Sequence, residues 1–215
     1  MNVDIIVIGG GHAGCEAAYA SARMGKNVLL ITHDKKTIGR MSCNPAIGGL
    51  GKSHLVREID AMGGLMASCA DKAGIHLKVL NASKGPAVRA TRSQSDRMLY
   101  SSAVKGVIDS ERLLTTLSAE VIDIETSGNT AIGVKLENKE IIKAKKVILT
   151  AGTFLNGKLF TGEEEEDGGR KKSKSSKILA NSLRSLKLGD ARLKTGTPPR
   201  ILTSSIDFSV LEIQP

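Results

Sequence analysis

Val3-Asp4-Ile5-Ile6-Val7-Ile8-Gly9-Gly10-Gly11-His12-Ala13-Gly14 is the stretch on which the fold turns. Residues 3–8 read as a buried strand that runs into Gly9-x-Gly11-x-x-Gly14. Residues 15–24 then carry helix formers and small residues until Gly25 stops them, and residues 28–31 supply a second apolar strand. Strand, glycine turn, helix and strand within about thirty residues predict a right-handed βαβ unit with parallel strands. In such a unit Gly9 permits the turn, Gly11 lets a pyrophosphate approach, and Gly14 lets the helix pack closely. The helix N-terminus would face the phosphates. An acid usually follows at the end of the second strand to hold ribose hydroxyls; here Thr32 and His33 stand there. Asp34 either shifts into that role or is a loop carboxylate facing water.

Outward from this unit, residues 37–52 form a long glycine-rich loop holding Cys43-Asn44-Pro45 and Gly48-Gly49-Leu50-Gly51, and a helix is predicted over 53–62. Residues 75–80 read as a strand, Lys84-Gly85-Pro86 breaks the chain, and an apolar stripe predicts a helix over 93–108. Short β-like runs at 120–124, 131–136 and 141–144, separated by Gly128-Asn129 and Asn138-Lys139, predict a small antiparallel meander inserted into the sheet. Residues 146–149 return to the parallel sheet and meet a glycine turn, Thr150-Ala151-Gly152-Thr153, predicted as another ligand-facing edge. The acidic run 163–167 and the basic, serine-rich run 170–177 read as solvated loop, with a helix over 178–186. Residues 195–200 have the composition of an ordered turn or linker.

The chain has 215 residues, 40% hydrophobic and 25% charged, enough to bury a core. Its net charge of +9 favours a polyanionic partner, RNA or an acidic lipid surface. Aromatics at 2% and the absence of Trp argue against an aromatic stacking platform for bases, so RNA contact would run mostly through phosphates. The apolar run at 3–8 is too short for a signal peptide or a membrane span. Cys15, Cys43 and Cys69 lack paired spacing, which argues against zinc and a disulfide framework and fits a reducing, cytoplasmic setting; His12, His33, His54 and His76 show no metal spacing either.

Cys43, followed by Asn44-Pro45 in a glycine-rich loop before a helix, is either a nucleophile or redox thiol activated by backbone N–H groups, or a buried, unreactive cysteine. Lys84, Arg89, Arg92 and Arg97 either bind phosphates or are scattered solvated cations.

Four segments together resemble the MnmG (GidA) family: residues 9–14, Met41-Ser42-Cys43-Asn44-Pro45-Ala46-Ile47-Gly48-Gly49, the stretch 81–92 around Lys84-Gly85-Pro86, and residues 193–200. The resemblance implies an α/β fold: a Rossmann-like FAD-binding domain, a parallel sheet with helices, carrying an inserted antiparallel β meander at about 113–145 and incomplete relative to the family. Residues 1–200 would be the N-terminal part of a discontinuous FAD-binding domain and 201–215 the start of the following inserted domain. It implies an FAD-dependent enzyme that, with the GTPase MnmE, adds an aminomethyl or carboxymethylaminomethyl group to carbon 5 of the wobble uridine of tRNA. Methylenetetrahydrofolate, NADH and glycine or ammonium would be the co-substrates. Carried over onto this sequence, Gly9, Gly10, Gly11, His12, Ala13 and Gly14 would bind the FAD pyrophosphate, Val121 would touch adenosine through its backbone, Ser176 would add a flavin contact, and Cys43 would be catalytic. The expected setting is a cytoplasmic homodimer that binds tRNA and MnmE and no membrane. The alternatives are a flavoprotein like the folate-dependent tRNA uridine methyltransferase, and a truncated, non-catalytic remnant.

Overall fold

The computed structural model describes residues 2–170, 173–186, 191–196, 199 and 201–213. Its centre is a four-stranded, wholly parallel sheet formed by β1 (Ile5–Ile8), β2 (Val28–Thr32), β6 (Leu114–Ser118) and β10 (Lys146–Leu149), in the order β10-β1-β2-β6. The two central strands, β1 and β2, read as continuous apolar runs because both faces are covered. Alternate residues divide between two cores. Val7, Val28, Leu30 and Leu114 point to one, and Ile6, Ile8, Leu29 and Ile31 to the other.

The first core is closed by α1 (His12–Arg23), α3 (Met66–Ala73) and α4 (Arg97–Ser110), through Cys15, Ala18, Ala22, Cys69, Ala70, Tyr100, Val104 and Ile108. The second is closed by an antiparallel sheet, β7 (Val121–Ser127), β8 (Thr130–Leu136) and β9 (Ile141–Lys143), and by α5 (Lys177–Ser185), whose Leu179 and Leu183 are buried there. The molecule is thus layered as helices, parallel sheet, then antiparallel sheet with one helix. Asp4 fastens the start of β1 to the start of β10: its carbonyl accepts the Lys145 and Lys146 N–H groups, and its carboxylate, held below the usual range by hydrogen bonds from Lys145 and the Asn27 N–H, pairs with the Lys145 ammonium at 2.8 Å.

Between β2 and β6 the chain makes α2 (Lys52–Ala61) and a second small antiparallel sheet, β3 (Ala46–Gly48), β5 (Ala90–Ser95) and β4 (Gly74–Leu80), in the order β3-β5-β4. Two local expectations change here. The loop 37–52 contains the strand β3, and the first part of the helix predicted over 93–108 is β5 instead. Helix α4 starts only at Arg97, where the Asp96 carboxylate accepts the N–H groups of Met98 and Leu99, both at 2.8 Å. Within the stretch of β-like runs, β6 belongs to the parallel sheet and the antiparallel sheet occupies Val121 to Lys143 as a separate layer.

The acidic run is a strand rather than a loop. Glu164–Asp167 is β12, paired with β11 (Lys158–Thr161) about a turn at Gly162, and all four of its residues are exposed. Of the predicted basic run, Lys171 and Lys172 lie outside the described residues, as do Thr197, Pro198 and Arg200 of the predicted turn at 195–200.

Candidate nucleotide-binding cleft

The C-terminal ends of β1, β2 and β10 open into a cavity of about 770 Å³, in the size range of small-molecule sites. Open parallel sheets place their ligands at this end of the strands. The glycine turn lies at its base, and each glycine there meets a different constraint. Gly9 has φ +107°, and a Cβ on it would stand 2.6 Å from the Thr150 carbonyl oxygen. A Cβ on Gly14 would come within 1.8 Å of the Gly9 carbonyl oxygen, so α1 and the turn touch backbone to backbone. A Cβ on Gly11 would meet nothing within 4 Å. That space belongs to the cavity, and a ligand can reach the backbone through it.

Gly11 is the N-cap of α1 and supplies no side-chain cap, and no acid occupies the first turn. The N–H groups at the start of the helix therefore point into the cleft with the positive end of the helix dipole. Thr150, at the end of β10, secures the turn by donating its hydroxyl to the Ile8 and Gly9 carbonyls at 2.8 and 3.2 Å. His12 stacks on Tyr100 with ring centroids 5.5 Å apart, and its Nε2 is buried without a partner. Burial, helped by the nearby Lys52 ammonium, pushes its imidazole down to about 4, so it is neutral at pH 7.

All of Gly9 to Ala13 line the cavity, as do Val121 and Ser176. Gly14 sits just behind them as the packing glycine. Val121, at the start of β7, is buried in the second core. Ser176 is buried at the start of α5; its hydroxyl lies 3.3 Å from His33 Nε2 and its N–H donates to the Phe154 carbonyl. Asp34 also lines the cavity, but its carboxylate accepts the Lys36 N–H and caps a single helical turn. The turn 150–153 contributes all four of its residues.

Cys43 is half-buried and lies beside the cleft rather than in its lining; its neighbour Ser42 is on the wall. The Arg97 guanidinium donates to the Cys43 carbonyl, holding the loop against α4. The other two cysteines are packing residues. Burial drives the Cys15 thiol up to about 12 and also raises Cys69, so neither supplies thiolate. Lys84, Arg89, Arg92 and Arg97 do not line the cleft. Arg89 donates to the Ala82 carbonyl at 3.1 Å, and Arg92 stands on β5 opposite Gly48 and Lys78.

Arg40, Phe154 and Arg170 also stand on the wall, and no local sequence motif marks them. The last was hidden at the head of a basic run that reads as solvated. Among the described residues no group of three His, Cys, Asp or Glu could hold a metal ion, and no helix is long and apolar enough to cross a membrane.

A family model described as glucose inhibited division protein A (GidA) matches residues 4–215. GidA of Aquifex aeolicus, solved in two crystal forms, is 44% identical, with TM-scores of 0.92 and 0.93; each match covers 100% of this chain and 36% of that one. The chain thus spans about a third of the length of that relative. A GidA-related protein from Thermus thermophilus shares the fold at 19% identity and a TM-score of 0.63, over 86% of this chain and 68% of its own.

Proposed function

Because this chain belongs to the GidA family, we propose that it forms the dinucleotide-binding part of an FAD-dependent enzyme that modifies tRNA. The observation that carries the reading is the cleft. A glycine turn with one glycine open to the cavity, an uncapped helix N-terminus and no acid in the first turn suit a pyrophosphate. In this reading Gly9 to Gly14 receive the FAD pyrophosphate, the Val121 backbone and the Ser176 hydroxyl take further parts of the cofactor, and Cys43 acts as the catalytic thiol. Bound FAD would supply redox chemistry, with NADH as its reductant. The protein's own residues bind and orient it and keep the turn rigid.

The reaction in this proposal is addition of an aminomethyl or carboxymethylaminomethyl group to carbon 5 of the wobble uridine. MnmE is the partner, methylenetetrahydrofolate the one-carbon source, and glycine or ammonium the amine. The net charge of +9 supports a polyanionic substrate. Residues 1–200 act as the first part of the flavin domain and 201–215 as the start of the domain that follows, in a cytoplasmic homodimer. The 215-residue chain by itself is expected to bind FAD weakly and to turn over nothing.

The test is a chimera in which this chain replaces the matching part of Aquifex GidA, incubated with tRNA, MnmE and the co-substrates, followed by nucleoside analysis. A carbon-5 product that disappears in Cys43→Ser, with flavin content unchanged, is the expected result. A flavin-loaded chimera that makes no product overturns the assigned reaction, and a product that survives Cys43→Ser overturns the role of that thiol.

A further inference from the structure

Two guanidinium groups, Arg40 and Arg170, line the wall of the cleft without an ion pair to any of the carboxylates that share it, Asp34, Glu120 and Glu137. Arg170 follows Gly168-Gly169 at the end of the β11–β12 hairpin, and its position is over-determined. Its carbonyl accepts the Ser173 N–H at 2.9 Å, and the Gly169 carbonyl accepts the Thr153 hydroxyl at 2.7 Å. The guanidinium lies 5.6 Å over the Phe154 ring and donates through Nη1 to the Ser42 hydroxyl at 3.3 Å. Arg40 reaches the same cavity from the loop after β2, where the preceding Gly39 N–H donates to the Gly10 carbonyl at 3.0 Å.

Among the described residues neither arginine forms an ion pair. Arg170 Nε is buried and has no partner. Burial, and then the charge of Arg40, push the Arg170 guanidinium below its usual range; Asp34 opposes this at a distance, with its carboxylate committed to the Lys36 N–H. Gathering two cations in a partly desolvated cleft and leaving a donor unmade costs free energy unless an anion completes the set. Forked guanidinium donors suit phosphate oxygens.

We infer that Arg40 and Arg170 form a second anion-binding point in the cleft, a clamp for the phosphates of the same dinucleotide whose pyrophosphate meets the glycine turn. This rests on the dinucleotide reading above. A small-molecule phosphate fits better than a polynucleotide because the pair lines the same concavity as Gly10 to His12 and the unmade donor of Arg170 is buried. Arg170 also ties the hairpin to the Ser42 loop, so a phosphate bound here would draw together segments that are 128 residues apart.

The experiment is calorimetric titration of the chain with ADP, adenosine, inorganic pyrophosphate and tRNA, for the unsubstituted protein and for Arg170→Gln, Arg170→Lys and Arg40→Gln. Both glutamine variants are expected to weaken ADP by roughly 10- to 100-fold, as loss of a charged hydrogen bond does, while adenosine changes less than about twofold. Arg170→Lys should recover only part of the loss, because an ammonium lacks the fork. Pyrophosphate should follow ADP. If Arg170→Gln fails to fold by circular dichroism, exposed Arg40 carries the test. Equal losses for ADP and adenosine would overturn the clamp in favour of a structural role. Unchanged ADP affinity alongside weakened tRNA binding would overturn it in favour of a polynucleotide contact. An unsubstituted chain that binds neither ADP nor adenosine would remove the dinucleotide reading itself, and the clamp with it.

Discussion

On the glycine wall of the cleft, residues 9–14, shape is set by backbone against backbone; on the wall built from residues 153–176 it is set by side chains that reach across long sequence separations. The first wall is local in its glycines and is closed by one distant residue, Thr150. Gly14 touches Gly9 and Gly9 touches Thr150, so any change in those atoms is felt at once. The second depends on Arg170 finding Ser42, Ser176 finding His33 and Thr153 finding Gly169. The difference teaches that a nucleotide site can have one half written in consecutive residues and the other assembled only by the tertiary fold.

The comparison breaks most sharply at Gly14. A Gly14→Ala substitution forces a methyl into the Gly9 carbonyl, which backbone cannot vacate without moving the turn. A loss of about 3 kcal/mol or more in urea unfolding is expected. A variant of unchanged stability would show that the turn is not rigid.

His12 gives the next largest effect. Its pKa falls from 6.5 to about 4 on folding, so the unfolded chain takes up a proton that the folded chain refuses. The contribution is complete above pH 6.5 and is lost as pH falls toward 4, with a full span on the order of 3 kcal/mol. Unfolding midpoints between pH 7 and 5 should drop in the parent and drop less in His12→Gln. Parallel curves would contradict the burial argument.

Gly11 separates folding from binding. Its φ of −76° and its open surroundings admit a side chain, so Gly11→Ala should leave stability nearly unchanged while reducing ADP affinity about tenfold or more by filling the approach. The smallest effect belongs to the second wall's outer edge. Lys158 pairs with Glu165 at 2.7 Å and is raised by it, but both are about half exposed and screened by solvent, so Lys158→Ala should leave the thermal midpoint unchanged within error. A clear drop there would mean that the hairpin is more tightly coupled to the cleft than its exposure indicates.

The parallel sheet and its glycine turn were legible because period, turn chemistry and helix punctuation agree over residues 3–31. β5 was not. Its buried positions are Ala90, Ser93 and Ser95, and serines give no apolar alternation; pairing with β3 and β4 makes them a strand, and Asp96 then caps the helix. β12 escaped for a related reason. Four consecutive acids have no strand preference of their own, and their conformation comes from the turn at Gly162 and from pairing with Lys158–Thr161. The cleft divides in the same way: Gly9 to Ala13 are placed by their order alone, while Arg40 and Arg170 acquire meaning only when residues 130 apart in sequence share a wall.

The central claim, that the open face of the glycine turn receives FAD, is tested most directly by titrating the purified chain with FAD under flavin fluorescence, beside Gly11→Val. The account predicts weak, saturable binding that ADP competes away and that Gly11→Val, still folded by circular dichroism, abolishes. Absence of saturable binding by the parent chain, or equal binding by the valine variant, would contradict it.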